Sequence, residues 1–153
     1  MNLKFFIAVF ATPFLFAGVS PSEQDVPRSR DRLPFIRVPG YFIERYDTSF
    51  DEGRWFLVAN GKRTEKRMIK GRKTYIVYRL KSGLKPISPI DVIRNQQNTI
   101  KSVGGDVLFE KKVGVVGTTL RVRNGDVEMW AYVISYAGGS CYHLMIVERN
   151  EKK

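Results

Sequence analysis

Ser88–Glu110 reads SPIDVIRNQQNTIKSVGGDVLFE, and the change of pattern inside it decides the fold class. Ser88 is a helix-capping residue, Pro89 suits the first helical position, and Asp91 completes a box-like cap while complementing the helix dipole. Ile90, Ile93, Ile100 and Val103, with Gln97 among them, mark one buried stripe at helical spacing. Gly104-Gly105 stops the helix, and Asp106–Lys111 turns to strand-like composition. The spacing predicts one main helix over about 88–103.

Outward from the helix, both flanks are strand-like. Upstream, Tyr41–Tyr46 and Arg54–Ala59 are rich in aromatic and β-branched residues, with Asp51-Glu52-Gly53 reading as a turn between them. Asn60-Gly61 is a hairpin signal, because both central positions tolerate positive φ. Lys62–Lys70 and Lys73–Lys81 follow, separated by Gly71-Arg72. In the second of these, Thr74, Ile76, Tyr78 and Leu80 share one face, and Tyr75, Val77 and Arg79 the other. Downstream come Thr118–Arg123, the Asn124-Gly125 turn, Asp126–Tyr136, the Gly138-Gly139 turn and Cys141–Arg149. Strands, one helix, then strands predict a single α+β domain, mostly an antiparallel sheet of hairpins.

The chain begins differently. Lys4 sits beside the amino terminus, and Phe5–Val19 (FFIAVFATPFLFAGV) carries no charge. A membrane-spanning helix needs roughly 20 apolar residues, so this run is short, and Pro13 interrupts its hydrogen bonding. A basic start before a short apolar run predicts a cleaved signal peptide over residues 1–20, with an uncleaved anchor as the alternative. Residues 21–32 (PSEQDVPRSRDR) lack an apolar period and read as a flexible linker. The domain is expected over 33–153, entered through Leu33–Gly40, where each proline pushes its predecessor away from helix.

Several of these segments resemble a known family. FIRVPGYFIERY (Phe35–Tyr46), GRKTYIVYRL (Gly71–Leu80), the Ser88–Glu110 block, TLRVRNGDVEMWAYV (Thr119–Val133) and YHLMIVERNE (Tyr142–Glu151) are similar to the domain that precedes the peptidoglycan-binding domain in some OmpA-family envelope proteins. The Gly-Gly-x-Val-Leu-x-Glu ending of the helix block and the Asn-Gly-x-x-Glu-x-Trp turn are the most specific parts. The resemblance implies a periplasmic or outer-membrane-associated location and an accessory binding role. It transfers no catalytic residues. In those relatives an OmpA-like domain follows; Lys153 ends this sequence without one, so peptidoglycan binding does not carry over.

Few residues offer chemistry. The single histidine, His143, and the single cysteine, Cys141, are two residues apart and share a strand face, so a secreted thiol hydrolase is the enzymatic alternative. The expectation is instead a buried, reduced Cys141, which has no partner for an internal disulfide. One Cys and one His fall short of a structural zinc site, and no metal or cofactor is expected. Asp51-Glu52 and Asp126/Glu128 are close enough in sequence for carboxylate chemistry, but surface solvation accounts for them better. Gly114–Gly117 (GVVG) lacks the Lys-Ser/Thr of a phosphate loop and reads as a strand connection.

Charge is concentrated. Lys62–Lys85 holds ten basic residues against Glu65, which is nine of the chain's net +11. Lys62, Arg63, Lys66, Arg67, Lys70, Arg72 and Lys73 are therefore the candidate anion- or partner-binding residues. Because neither face of Lys62–Lys70 is purely apolar, an exposed edge strand is expected, where charge also deters aggregation. Beyond the cytoplasm the matching partners are an anionic envelope component, an acidic envelope protein or a membrane surface. Nucleic acid is the remaining alternative, disfavoured by export.

Overall fold

In the computed structural model the described residues are Glu23–Asn150; the expected signal peptide lies outside them. They form one α+β domain. Its strands are β1 (Tyr41–Asn60), β2 (Arg63–Leu80), β3 (Asp106–Lys111), β4 (Val116–Asn124), β5 (Val127–Tyr136) and β6 (Cys141–Asn150), with helix α1 (Pro89–Ser102) between β2 and β3. The strands make a single antiparallel sheet in the order β1-β2-β6-β5-β4-β3. The β3–β6 meander thus adds its last strand to the second strand of the N-terminal hairpin.

The helix forms where its capping signals lie. Ser88 Oγ accepts from Asp91 N at 3.2 Å and donates to Asp91 Oδ2 at 2.6 Å, a box-like cap in which the carboxylate takes the serine hydroxyl rather than its N–H, ahead of Pro89. Its buried face is Val92, Ile93, Gln96, Gln97 and Ile100. The expected stripe is therefore shifted. Val103 lies at the C-cap and is 52% exposed, and Ile90 is only half-buried, while Gln96 is buried and donates to Ile36 O at 2.6 Å. Gln97 donates to Thr118 Oγ1 at 3.1 Å, so both buried amides are anchored.

Strand alternation sends side chains to two cores. Ile76, Tyr78, Leu120, Ala131, Val133, Tyr142, Leu144 and Ile146 meet α1 on one face. On the other face Trp130 and Val147 pack with Phe56, Val58 and Ile69 from the far end of the N-terminal hairpin. That hairpin departs from the expected pattern of short strands. β1 and β2 run through the predicted breaks at Asp51-Glu52-Gly53 and Gly71-Arg72, pairing from Tyr41↔Leu80 to Asn60↔Arg63 with bulges between Ile43 and Arg45 and between Ser49 and Glu52. Turn-like composition is accommodated as a bulge instead, which bends a strand without ending it.

Pairing with β6 stops at Arg72↔Glu148, so residues 53–70 continue as a two-stranded ribbon. At the bend, a β-carbon on Gly71 would lie 2.1 Å from the carbonyl oxygen of Glu148, and only glycine admits that approach. The ribbon then covers the sheet face opposite α1, touching β3 and β4. The layers are helix, sheet and ribbon. β2 lies inside the strand order where it pairs with β6, while its 63–70 portion, the stretch expected at an exposed edge, lies beyond β6 and has a free edge.

Glu23–Arg32, expected within the linker, is held against this domain. Val26 N donates to Ile43 O at 2.9 Å, and Val26 packs on the helix-side core. Asp25 and Asp31 both bind Arg37, and Asp31 also accepts from Tyr78 Oη at 2.9 Å. Packing thus begins upstream of Leu33.

Candidate functional site

The ribbon gathers most of the expected basic residues. Residues 61–68 are all exposed. Register places Trp55 opposite Met68, Leu57 opposite Lys66, and Gly53 opposite Lys70, all on the side facing away from the sheet. Arg54, Phe56, Val58, Arg63, Glu65, Arg67 and Ile69 occupy the inward side, which the burial of Phe56, Val58 and Ile69 identifies. Lys66 and Lys70 therefore flank Trp55 (58% exposed) and Met68 (39% exposed) on one outward surface, with Lys62 exposed in the turn at the end of the ribbon.

The seven candidates do not form one group. Among the described residues, Lys62, Arg63, Lys66, Arg67 and Lys70 have no ion-pair partner; Glu65 instead accepts from Asn60 Nδ2 across the turn. Arg72 and Lys73 lie beyond the bend and are tied down. Arg72 donates to Glu148 Oε2 from Nε at 2.9 Å and Nη2 at 2.7 Å, and Lys73 pairs with Glu52. Sequence alone missed Trp55 and Leu57 as members of the basic surface. Their signal was present as alternation within Arg54–Ala59, but which face points outward depends on where the ribbon packs.

The Cys141/His143 pair is arranged unlike a thiolate and its base. Cys141 is buried, and burial pushes its thiol up from the ordinary value. Burial also pushes the His143 imidazole down. Both shifts favour the neutral forms, opposing the thiolate–imidazolium pair that activates a nucleophilic cysteine. His143 Nδ1 is instead 2.7 Å from Tyr75 Oη, with the Tyr75 and Tyr136 rings 5.5 Å and 4.8 Å from the imidazole. The histidine belongs to an aromatic cluster on the part of the sheet that the ribbon leaves open.

The carboxylates have structural partners. Glu128 is 1% exposed, so the expectation of a solvated surface residue is corrected. Burial pushes its carboxyl up, but the neighbouring Trp130 indole, Arg149, whose Nε donates at 2.6 Å, and Arg123 at 3.7 Å together outweigh that and hold it below the ordinary value. Gly117 lies in β4, where a β-carbon would fall 2.6 Å from Tyr132 Oη, and Gly114 has φ +73 in the preceding turn. The GVVG run thus serves a strand entry and a close packing contact.

Compared with known proteins, the chain matches no family model and no curated sequence.

Proposed function

We propose that the protein is an exported, non-catalytic accessory module of a bacterial-type cell envelope, which binds an anionic surface through the outward face of the β1–β2 ribbon. One observation carries the reading: Lys66 and Lys70 flank exposed Trp55 and Met68 on the outward face of the ribbon, with Lys62 exposed in its turn, and none of the three has a carboxylate partner among the described residues. Cations left unneutralised by their own fold are free to meet anions elsewhere. An indole beside them suits the headgroup level of a membrane, where one end of the ring is apolar and the other wet. The compartment rests on the apolar N-terminal run and on the resemblance to the domain that precedes peptidoglycan-binding domains in OmpA-family proteins.

Each lysine near an anionic bilayer is worth about 1 kcal/mol, so three contribute about 3 kcal/mol, or roughly two orders of magnitude in affinity. The test is sedimentation of the full chain with phosphatidylglycerol vesicles and with phosphatidylcholine vesicles. Binding is expected only to the anionic vesicles, weakening with salt. It falls about a hundredfold in Lys62→Ala/Lys66→Ala/Lys70→Ala, with an unchanged thermal midpoint. Equal binding to both vesicles, or an unaffected triple variant, refutes the proposal. Exposed Trp55 among cations also suits stacking on single-stranded nucleic acid; saturable oligonucleotide binding without vesicle binding would favour that reading.

A further inference from the structure

Residues 27–32 read PRSRDR, which sets arginines at alternate positions of an irregular segment. Arg28, Arg30 and Arg32 meet Arg72 of β2 around a cavity of about 240 Å³, with Thr74 in its wall and Phe50 at 73% exposure beside it. None of the described lining residues is acidic. The intervening residues face the fold: Ser29 Oγ and N donate to Val26 O at 2.6 and 3.1 Å, and Asp31 binds Tyr78 and Arg37. Alternation therefore separates anchors from guanidiniums.

Three features distinguish this cavity from a solvated basic patch. Glu148 binds both Arg32 and Arg72, which orients two guanidiniums while cancelling only one of four charges. Arg28 and Arg30 have no carboxylate partner among the described residues, and Arg28 is held at φ +64, a left-handed position that favours glycine. Thr74 is 1% exposed and its Oγ1 has no hydrogen-bond partner, and Arg32 Nε, also buried, has none either. Buried donors are ordinarily paired, so two unpaired ones lining the same cationic cavity mark a place where an acceptor is missing.

We propose that this cavity binds a phosphomonoester group. Guanidinium forks match phosphate oxygens in pairs. A phosphomonoester brings up to two negative charges and three strong acceptors to a site with three uncancelled positive charges and two unused donors. The volume is below the roughly 300–1,000 Å³ of pockets that enclose drug-sized ligands, so it suits a headgroup rather than a whole large molecule. The phosphate can come from a soluble sugar phosphate or from a lipid headgroup. This site is separate from the outward ribbon face, and either proposal can fail alone.

The test is calorimetric titration of the full chain with glycerol 3-phosphate and with inorganic phosphate at constant ionic strength, with acetate as the singly charged comparison. Saturable binding of both phosphates, tighter than acetate, is expected. Arg28→Ala/Arg30→Ala should weaken it at least about tenfold, and Thr74→Val by a few-fold, since hydrogen bonds to charged groups are the stronger class. Lys62→Ala/Lys66→Ala/Lys70→Ala should leave it unchanged. Arg28→Gly relaxes the turn and keeps the test valid if the double variant fails to fold. Sedimentation with phosphatidic acid vesicles, in the Lys62→Ala/Lys66→Ala/Lys70→Ala background so that the ribbon does not hold the bilayer, separates the sources. Vesicle binding abolished in the arginine variant assigns a lipid headgroup, and soluble binding alone assigns a free phosphate ester. Absence of saturable phosphate binding, acetate binding as tightly, or unchanged affinity in the arginine variants overturns the proposal.

Discussion

Replacing Gly71 with alanine tests whether a close backbone approach, rather than a flexible break, shapes the N-terminal hairpin. The added β-carbon lies 2.1 Å from Glu148 O and 2.9 Å from its carbonyl carbon. Carbon–oxygen contacts between strands are normally about 3.3–3.6 Å, so β2 must retreat from β6 by roughly 1 Å at the Arg72↔Glu148 rung. Overpacking of this kind costs about 1–3 kcal/mol, and each ladder hydrogen bond lost adds about 1 kcal/mol. A total of about 2–4 kcal/mol corresponds to a fall of roughly 8–16 °C in thermal midpoint for a domain of this size. Gly61→Ala is the matched comparison. Gly61 has φ +58, but nothing lies within 4 Å of the place its β-carbon would occupy, so only the left-handed penalty of about 1–2 kcal/mol applies. Urea and thermal unfolding followed by circular dichroism measure both. In a Trp55→Phe background, quenching of Trp130 reports whether the ribbon also loosens from the sheet. If Gly71→Ala costs no more than Gly61→Ala, the close approach at the bend does not constrain the hairpin and the reasoning fails.

Phe56→Ala should cost about 3–5 kcal/mol in urea unfolding, because Phe56 is 1% exposed and its ring lies 5.7 Å from Trp130, whereas Trp55→Ala stays within about 0.5 kcal/mol; equal costs would mean the ribbon docks by its other face. Glu128 has a lowered carboxyl in the fold, so its contribution is complete above its unfolded value and lost as pH falls through the folded one. Stability should therefore decline on the acid side of the usual carboxylate range, and Glu128→Gln should flatten that decline; parallel slopes would contradict the ion pairing. The lowered His143 has the same sense: the unfolded chain takes up its proton first, so stability drops as pH falls below about 6.5, until the folded imidazole also protonates. Thermal midpoints of His143→Phe across that window should lose this component, and an unchanged profile would remove burial as the cause.

The legible parts of the fold were those governed by neighbours in sequence. Ser88, Pro89 and Asp91 announced the helix start because capping is a contact over three residues, and Gly104, at φ +80, marks its end. The Asn60-Gly61 and Asn124-Gly125 hairpins followed from backbone tolerance at two positions. Misreadings arose where distant residues decide. Val103 fits a helical stripe but lies at the cap, and Gln96 is buried because Ile36 offers it a carbonyl. Glu128 reads as a solvated hairpin acid until Arg149 and Arg123 close over it. PRSRDR has linker composition, yet Tyr78 and Glu148, far along the chain, and the nearer Arg37 supply partners for its Asp31 and Arg32.

The sequence by itself therefore determined the class, one capped helix between runs of antiparallel strands, and concentrated the positive charge between Lys62 and Lys85. Alternation also paired the right residues on each strand face. Only tertiary structure decided which face points where. The bend at Gly71 turns Phe56, Val58 and Ile69 onto Trp130 and sends Trp55, Met68 and the lysines outward. It also took the packed N-terminal segment to bring Arg28, Arg30 and Arg32 to Arg72. Strand periodicity specifies two sides but not which one is covered, because covering is a contact between residues remote in sequence.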